Sequence, residues 1–130
     1  MSNRSSPADR LSPPWSITFA DGNGNRLRFW LAPGDDSPRF TYRPITPENS
    51  SSGVYSGGTP RRGSLSNSQS DELMRAVLEL ESATANHAPA RRKGTGAFIL
   101  VEGDEAERRF LIQSGERLRR FEQLLESYRS

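Results

Sequence analysis

The 130-residue chain has no cysteine, one histidine and two methionines. Without cysteine there is no disulfide framework, no thiolate nucleophile and no sulfur-ligated metal site. Lysine is nearly missing as well: of eighteen basic residues, seventeen are arginine and only Lys93 is lysine. No run approaches the ~20 apolar residues of a membrane span. The first ten residues, MSNRSSPADR, lack the apolar stretch of a secretory signal. These absences lead us to expect a cytoplasmic protein with no membrane association. Hydrophobic residues make up only 32% of the chain, and its mean hydropathy is −0.76. One domain fits this length, but its core must come from a few concentrated segments.

The arginine excess has two explanations. Arginine binds phosphate and carboxylate bidentately through its planar fork. Codon usage in a GC-rich genome accounts for it more simply, because acidic residues are interspersed and the net charge is only +2.

Along the chain, residues 1–14 are polar and proline-containing, and read as a disordered tail. From Trp15 the pattern alternates: Trp15, Ile17 and Phe19 share one side, Ser16 and Thr18 the other. After DGNGN, Leu27, Phe29 and Leu31 alternate with Arg26, Arg28 and Trp30. Phe40 and Tyr42 do so again with Arg39, Thr41 and Arg43. Gly/Asn and Pro/Gly clusters separate these runs, so residues 15–43 read as a three-stranded meander.

After Asn67 the period becomes helical, with Leu73, Met74, Val77, Leu78 and Leu80 on one side. Ser68 or Ser70 is the expected cap. Residues 97–101 and 108–112 form a second hairpin. A last helix, capped by Ser114, carries Leu118, Phe121, Leu124, Leu125 and Tyr128 on its stripe. The expected architecture is therefore α+β, in the order β-β-β-loop-α-β-β-α. About five mostly antiparallel strands form one sheet, both helices pack on one of its faces, and residues 15–130 make the domain.

Residues 46–70 are the anomaly. A polar loop this long inside a compact domain is either functional or disordered. Its segment SSSGVYSGG contains Val54 and Tyr55, bulkier than a Gly/Ser spacer requires. Val54 and Tyr55 are expected to form a short edge strand held against the sheet, while residues 63–69 fray.

Most chemical motifs fail on spacing. DGNGNRLRF begins like a calcium loop, but its sixth and twelfth positions are Arg26 and Ala32 rather than glycine and glutamate. RRKGTG places Lys93 before the glycine, unlike a Walker A loop. His87 follows a helix, where a capping role outweighs general-base chemistry. A serine hydrolase built on Ser56 and His87 is a minor alternative. RRGSL, residues 61–65, matches a basophilic kinase pattern around Ser64, in a chain rich in both residue types. No motif calls for a cofactor or a metal ion.

Arg26, Arg28, Trp30, Arg39 and Arg43 share an outward strand phase. Arginine beside an aromatic ring is the composition of a platform for single-stranded nucleic acid. The layout from Tyr55 to Tyr128, a Gly-Gly strand, a helix, a hairpin and a last helix, resembles that of small emfourin-type protein inhibitors of metalloproteases. The resemblance is one of element order and implies an inhibitor-like binding role. The leading expectation is a small non-enzymatic module that binds another protein, with Tyr55, Val54, Trp30, Arg28, Arg43, Arg61 and Arg62 as candidate contacts. Single-stranded nucleic-acid binding through the Arg/Trp face is the alternative, and a weak hydrolase a second one.

Overall fold

The computed structural model describes residues 11–50, 52–103 and 106–129. It is an α+β fold: one antiparallel sheet with two helices packed on one face. The strands are β1 (Trp15–Ala20), β2 (Arg26–Leu31), β3 (Arg39–Arg43), β4 (Arg61–Ser64), β5 (Gly96–Glu102) and β6 (Ala106–Ile112). The helices are α1 (Asn67–Ser82) and α2 (Glu116–Arg129). The sheet order is β4-β3-β2-β1-β5-β6. β1 sits near the middle and pairs with β2 on one side and β5 on the other.

The alternation read in the sequence governs which side chains meet the helices. Ile17, Phe19, Leu27, Phe29, Phe40, Tyr42, Phe98 and Leu100 are all buried. Against them lie Leu73, Met74, Val77 and Leu80 of α1 and Leu118, Phe121, Leu125 and Tyr128 of α2. An aromatic seam joins the layers. Phe121 meets Phe19 edge-on at 5.3 Å, and Phe98 stacks flat on Phe110 at 4.7 Å. Such pairs add about 0.5–1.5 kcal/mol beyond the area they bury.

Several boundaries differ from expectation. The additional edge strand is Arg61–Ser64, not Val54–Tyr55, so the sheet has six strands. Its four residues are all exposed and show no hydrophobic alternation, because only backbone pairing with β3 defines the strand. Gly63 is required there, since a Cβ would lie 2.9 Å from the Phe40 ring. Residues 63–69 are consequently not frayed: they enter β4 and the first turn of α1.

The cap of α1 is Ser66, two residues before Ser68. Its hydroxyl accepts from the Gln69 amide, while Gln69 accepts from the Ser66 amide, a reciprocal capping box. In α2 the Gly115 carbonyl accepts the first helical bond, from the Arg119 amide, which puts Gly115 rather than Ser114 in the cap position. The chain is also packed from Leu11 onward: Leu11 is buried, and the Pro14 carbonyl accepts from the Gly103 amide at 2.7 Å. Residues 1–10 of the expected tail lie outside the described residues.

On the helix side, Arg108 joins α1 to the sheet. It donates to both carboxylate oxygens of Glu81, at 2.6 and 3.1 Å, and to Glu102 at 3.2 Å. Glu102 also accepts from the Ser12 amide at 2.7 Å. That backbone bond is the main reason its carboxyl titrates below the usual range; Arg108 adds to it, against the opposing effect of desolvation. A carboxylate with a lowered folded pKa stabilises the fold at neutral pH, and this contribution is lost as pH falls through that pKa. The stability difference between the native protein and Glu102→Gln should therefore shrink on acidification through the carboxylate range, as measured by urea unfolding. A pH-independent difference would contradict this assignment.

Candidate functional site

The register places six side chains in each of two neighbouring rows on the face away from the helices. One row runs Ser64, Arg39, Trp30, Ser16, Val101, Glu107; the next runs Arg62, Thr41, Arg28, Thr18, Ile99, Arg109. A third, shorter row contains Arg43, Arg26, Ala20, Ala97 and Leu111. Six arginines therefore share this face with one described glutamate. Glu107 pairs with its neighbour Arg109 at 2.5 Å. Among the described residues, no carboxylate forms a salt bridge with Arg26, Arg28, Arg39, Arg43 or Arg62. Arg28 lies over the Trp30 ring, 5.0 Å from its centroid, a cation–π contact.

The near-neutral net charge conceals a strong asymmetry. Acidic side chains gather on the helix side, among them Asp71, Glu72, Glu79, Glu116 and Glu126, interleaved with Arg75, Arg117, Arg119 and Arg120. The open sheet face is almost purely basic over β2, β3 and β4. A basic face opposite a mixed-charge one produces a directed field, which steers anionic partners toward the basic side.

Of the seven candidate contacts read from the sequence, Trp30, Arg28, Arg43 and Arg62 come together on this face. Arg61 does not join them. It pairs with Tyr42, whose ring points into the core, so Arg61 projects on the helix side of the sheet edge. Val54 is not held against the sheet either: it is 80% exposed. Arg26, Arg39 and Arg109 belong to the face as well. The outward phase had pointed to the first two. Arg109 was missed because the second hairpin, though read from the sequence, carries no local sign that it joins the meander through β1 and β5.

Tyr55 has a different role. Asn25, at the end of the β1–β2 turn, is only 3% exposed. Its Nδ2 donates to the Tyr55 hydroxyl and to Asp21 Oδ2, both at 2.9 Å, and its Oδ1 accepts from the Ile45 amide at 2.7 Å. The Ile45 carbonyl accepts from the Gly57 amide, and the Tyr42 hydroxyl donates to the Gly57 carbonyl at 2.6 Å. A Cβ on Gly57 would stand 1.9 Å from Asn25 Oδ1. The segment SSSGVYSGG is thus a tether whose tyrosine and second-last glycine close over one buried asparagine.

Other candidates are absorbed into the scaffold. Asp21 caps its own turn, accepting from the Asn23 and Asn25 amides, which is hairpin chemistry and not calcium ligation. Arg91 donates to the Thr95 carbonyl and hydroxyl and, at 2.7 Å, to the Asp21 carbonyl, tying the 91–95 loop to the first turn. His87 Nε2 bonds the Leu80 carbonyl near the end of α1 at 3.0 Å, and its ring stacks on Phe110. Ser56 lies beside β2 and β3, whereas His87 bridges to Ile112 at the far edge, so the two are not assembled into a catalytic pair. An open groove of about 540 Å³ between α1 and α2 is walled by Leu80, Phe121 and Leu124 with mixed charges around them. Among the described residues no group of three or more His, Cys, Asp or Glu side chains is placed to hold a metal ion. No described helix is long and apolar enough to cross a membrane.

Removing the Asn25 side chain would leave the Ile45 amide without its partner, and a buried orphaned donor costs about 1–3 kcal/mol. Asn25→Ala should lower unfolding stability by roughly 2–3 kcal/mol, and Tyr55→Phe by about 1 kcal/mol, since it deletes a single hydrogen bond. Tyr55→Ala should destabilise the fold and leave partner binding intact. Chemical denaturation beside a binding assay checks both, and a binding loss at unchanged stability would make Tyr55 a contact residue instead.

No family model matches this chain, and neither the curated proteins nor the solved structures include a match.

Proposed function

We propose that the protein is a small non-enzymatic binding module, working in the cytoplasm, whose contact surface for another protein is the open face of the sheet. The observation that carries this reading is the set of five arginines on β2, β3 and β4, with no salt bridge among the described residues, beside Trp30. Solvated antiparallel faces usually alternate charge, and like charges directly opposite one another destabilise a sheet. Arg26 stands directly across from Arg43. Such an arrangement gains stability when an anionic surface covers it. Arginine and tryptophan are also the side chains that dominate binding hot spots.

The hydrolase alternative receives no support from the separation of Ser56 and His87. The nucleic-acid alternative draws on the Arg28–Trp30 stack, but one aromatic ring makes a poor platform for successive bases. At physiological salt, single-stranded DNA should not quench Trp30 fluorescence. A saturable quench that weakens steeply with added salt would favour nucleic acid over protein.

A photo-crosslinking side chain at Thr41, between Arg28 and Arg62 on the open face, should give protein adducts in native extract. The same group at Arg75, on the exposed side of α1, should give none. Adducts from position 75 alone would place the contact surface on the helices and refute this reading.

A further inference from the structure

The open face is divided along its length. Its middle strand, β1, presents only Ser16, Thr18 and Ala20. On one side stand Arg26, Arg28 and Trp30 of β2; on the other stand Ala97, Ile99 and Val101 of β5. Ser16 and Thr18, between Arg28 and Trp30 on one side and Ile99 and Val101 on the other, make a shallow trough over β1 that opens at Ala20 and Ala97. The two flanking strands are about 10 Å apart, twice the usual strand spacing, so an α-helix about 10 Å across laid over β1 reaches the side chains of both. The arginine wall continues outward through Arg39 and Arg43 of β3. The aliphatic wall continues to Leu111 of β6, which like Ile99 and Val101 is partly exposed.

We infer that this trough takes an amphipathic helix of a partner protein, lying along β1 with acidic side chains toward β2 and β3 and apolar side chains toward β5. The inference rests on the open face being the contact surface. Two complementarities carry it. The arginines without salt bridges call for carboxylates on one flank. The aliphatic flank calls for apolar side chains on the other, in the manner of a helix laid in a groove. β1 has six residues and spans about 20 Å, the length of roughly four helical turns.

Other occupants match less well. Single-stranded nucleic acid would satisfy the arginines but find no stacking surface over Ile99, Val101 and Leu111. The first ten residues of this chain carry Arg4 and Arg10 against Asp9 alone, the wrong sign for a basic face. A second copy would offer helices whose apolar stripes already face their own sheet and whose exposed sides mix arginine with acid.

Trp30 lies on the trough wall, while Trp15 is buried in the core, so a change in tryptophan emission on binding reports Trp30. The full chain is titrated with a helical peptide of about 18 residues, glutamates on one flank and leucines on the other. A scrambled peptide of the same composition, polyglutamate and oligo-dT serve as comparisons. The expected result is saturable binding of the amphipathic peptide, at least tenfold tighter than any comparison. Arg28→Glu and Ile99→Ser should each weaken it tenfold or more without altering the melting temperature. Equal binding of the scrambled peptide or of polyglutamate, tighter binding of oligo-dT, or indifference to Ile99→Ser would each overturn the inference. If Thr41 still crosslinks to a partner protein while the peptide fails, the chemistry of the partner is wrong and the contact surface stands. If crosslinking comes from position 75 instead, both fall.

Discussion

Two helices cannot cover both faces of a six-stranded sheet, and nearly everything distinctive about this protein follows from that limit. Each helix has a single apolar stripe, and both stripes are used on the same side. The opposite side of every strand must therefore be compatible with water. An antiparallel sheet allows this because its side chains alternate, so one face can be apolar and the other polar. A hydrophobic content of 32% is enough because the buried set is compact, centred on the contacts among Phe19, Phe98, Phe110 and Phe121. The fold economises on core and leaves a broad bare surface.

The loops are arranged to keep that surface rigid. Asn25 connects the first turn to the crossover after β3, and Arg91 connects the same turn to the loop before β5. Gly22 and Gly94 approach so closely that a Cβ on Gly22 would lie 2.8 Å from the Gly94 backbone. Three segments distant in sequence thus converge at one end of the sheet. At the other end, Glu102 and Arg108 bind the start of the described chain and α1. A surface fixed at both ends requires little reordering on contact, and this preorganisation reduces the entropic cost of association.

The division of charge is the second consequence. With the helices holding just over half of the described acidic residues and the open face six arginines against one described glutamate, the domain is polar in the electrostatic sense although its net charge is small. Charge totals describe solubility and non-specific attraction; they say nothing about which side carries the sign. The trough over β1, basic on one wall and aliphatic on the other, turns the asymmetry into a pattern that discriminates between partners, because a purely anionic polymer satisfies only half of it.

Alternation at period two determined the meander, and helical periodicity determined both helices, because each pattern is a local response to a face that must be buried. Those signals reside in the residues themselves, at Trp15, Ile17 and Phe19 or at Leu118, Phe121 and Leu125. Arg26, Arg28, Trp30, Arg39 and Arg43 could be assigned to one side for the same reason. The strand β4 was illegible, since its exposed residues carry no pattern and exist as a strand only through the backbone of β3. Tyr55 was noticed for its size, but its tethering role depended on Asn25, a residue thirty positions earlier whose burial no local pattern announces. The aliphatic wall of the trough, and Arg109 with it, came from the pairing of β1 with β5, which sets the expected second hairpin beside the meander. Sequence determines which side of a strand a residue occupies and which successive strands turn back as hairpins; only the tertiary structure decides that β1 meets β5 and β3 meets β4, because those pairings are settled by contacts between distant segments.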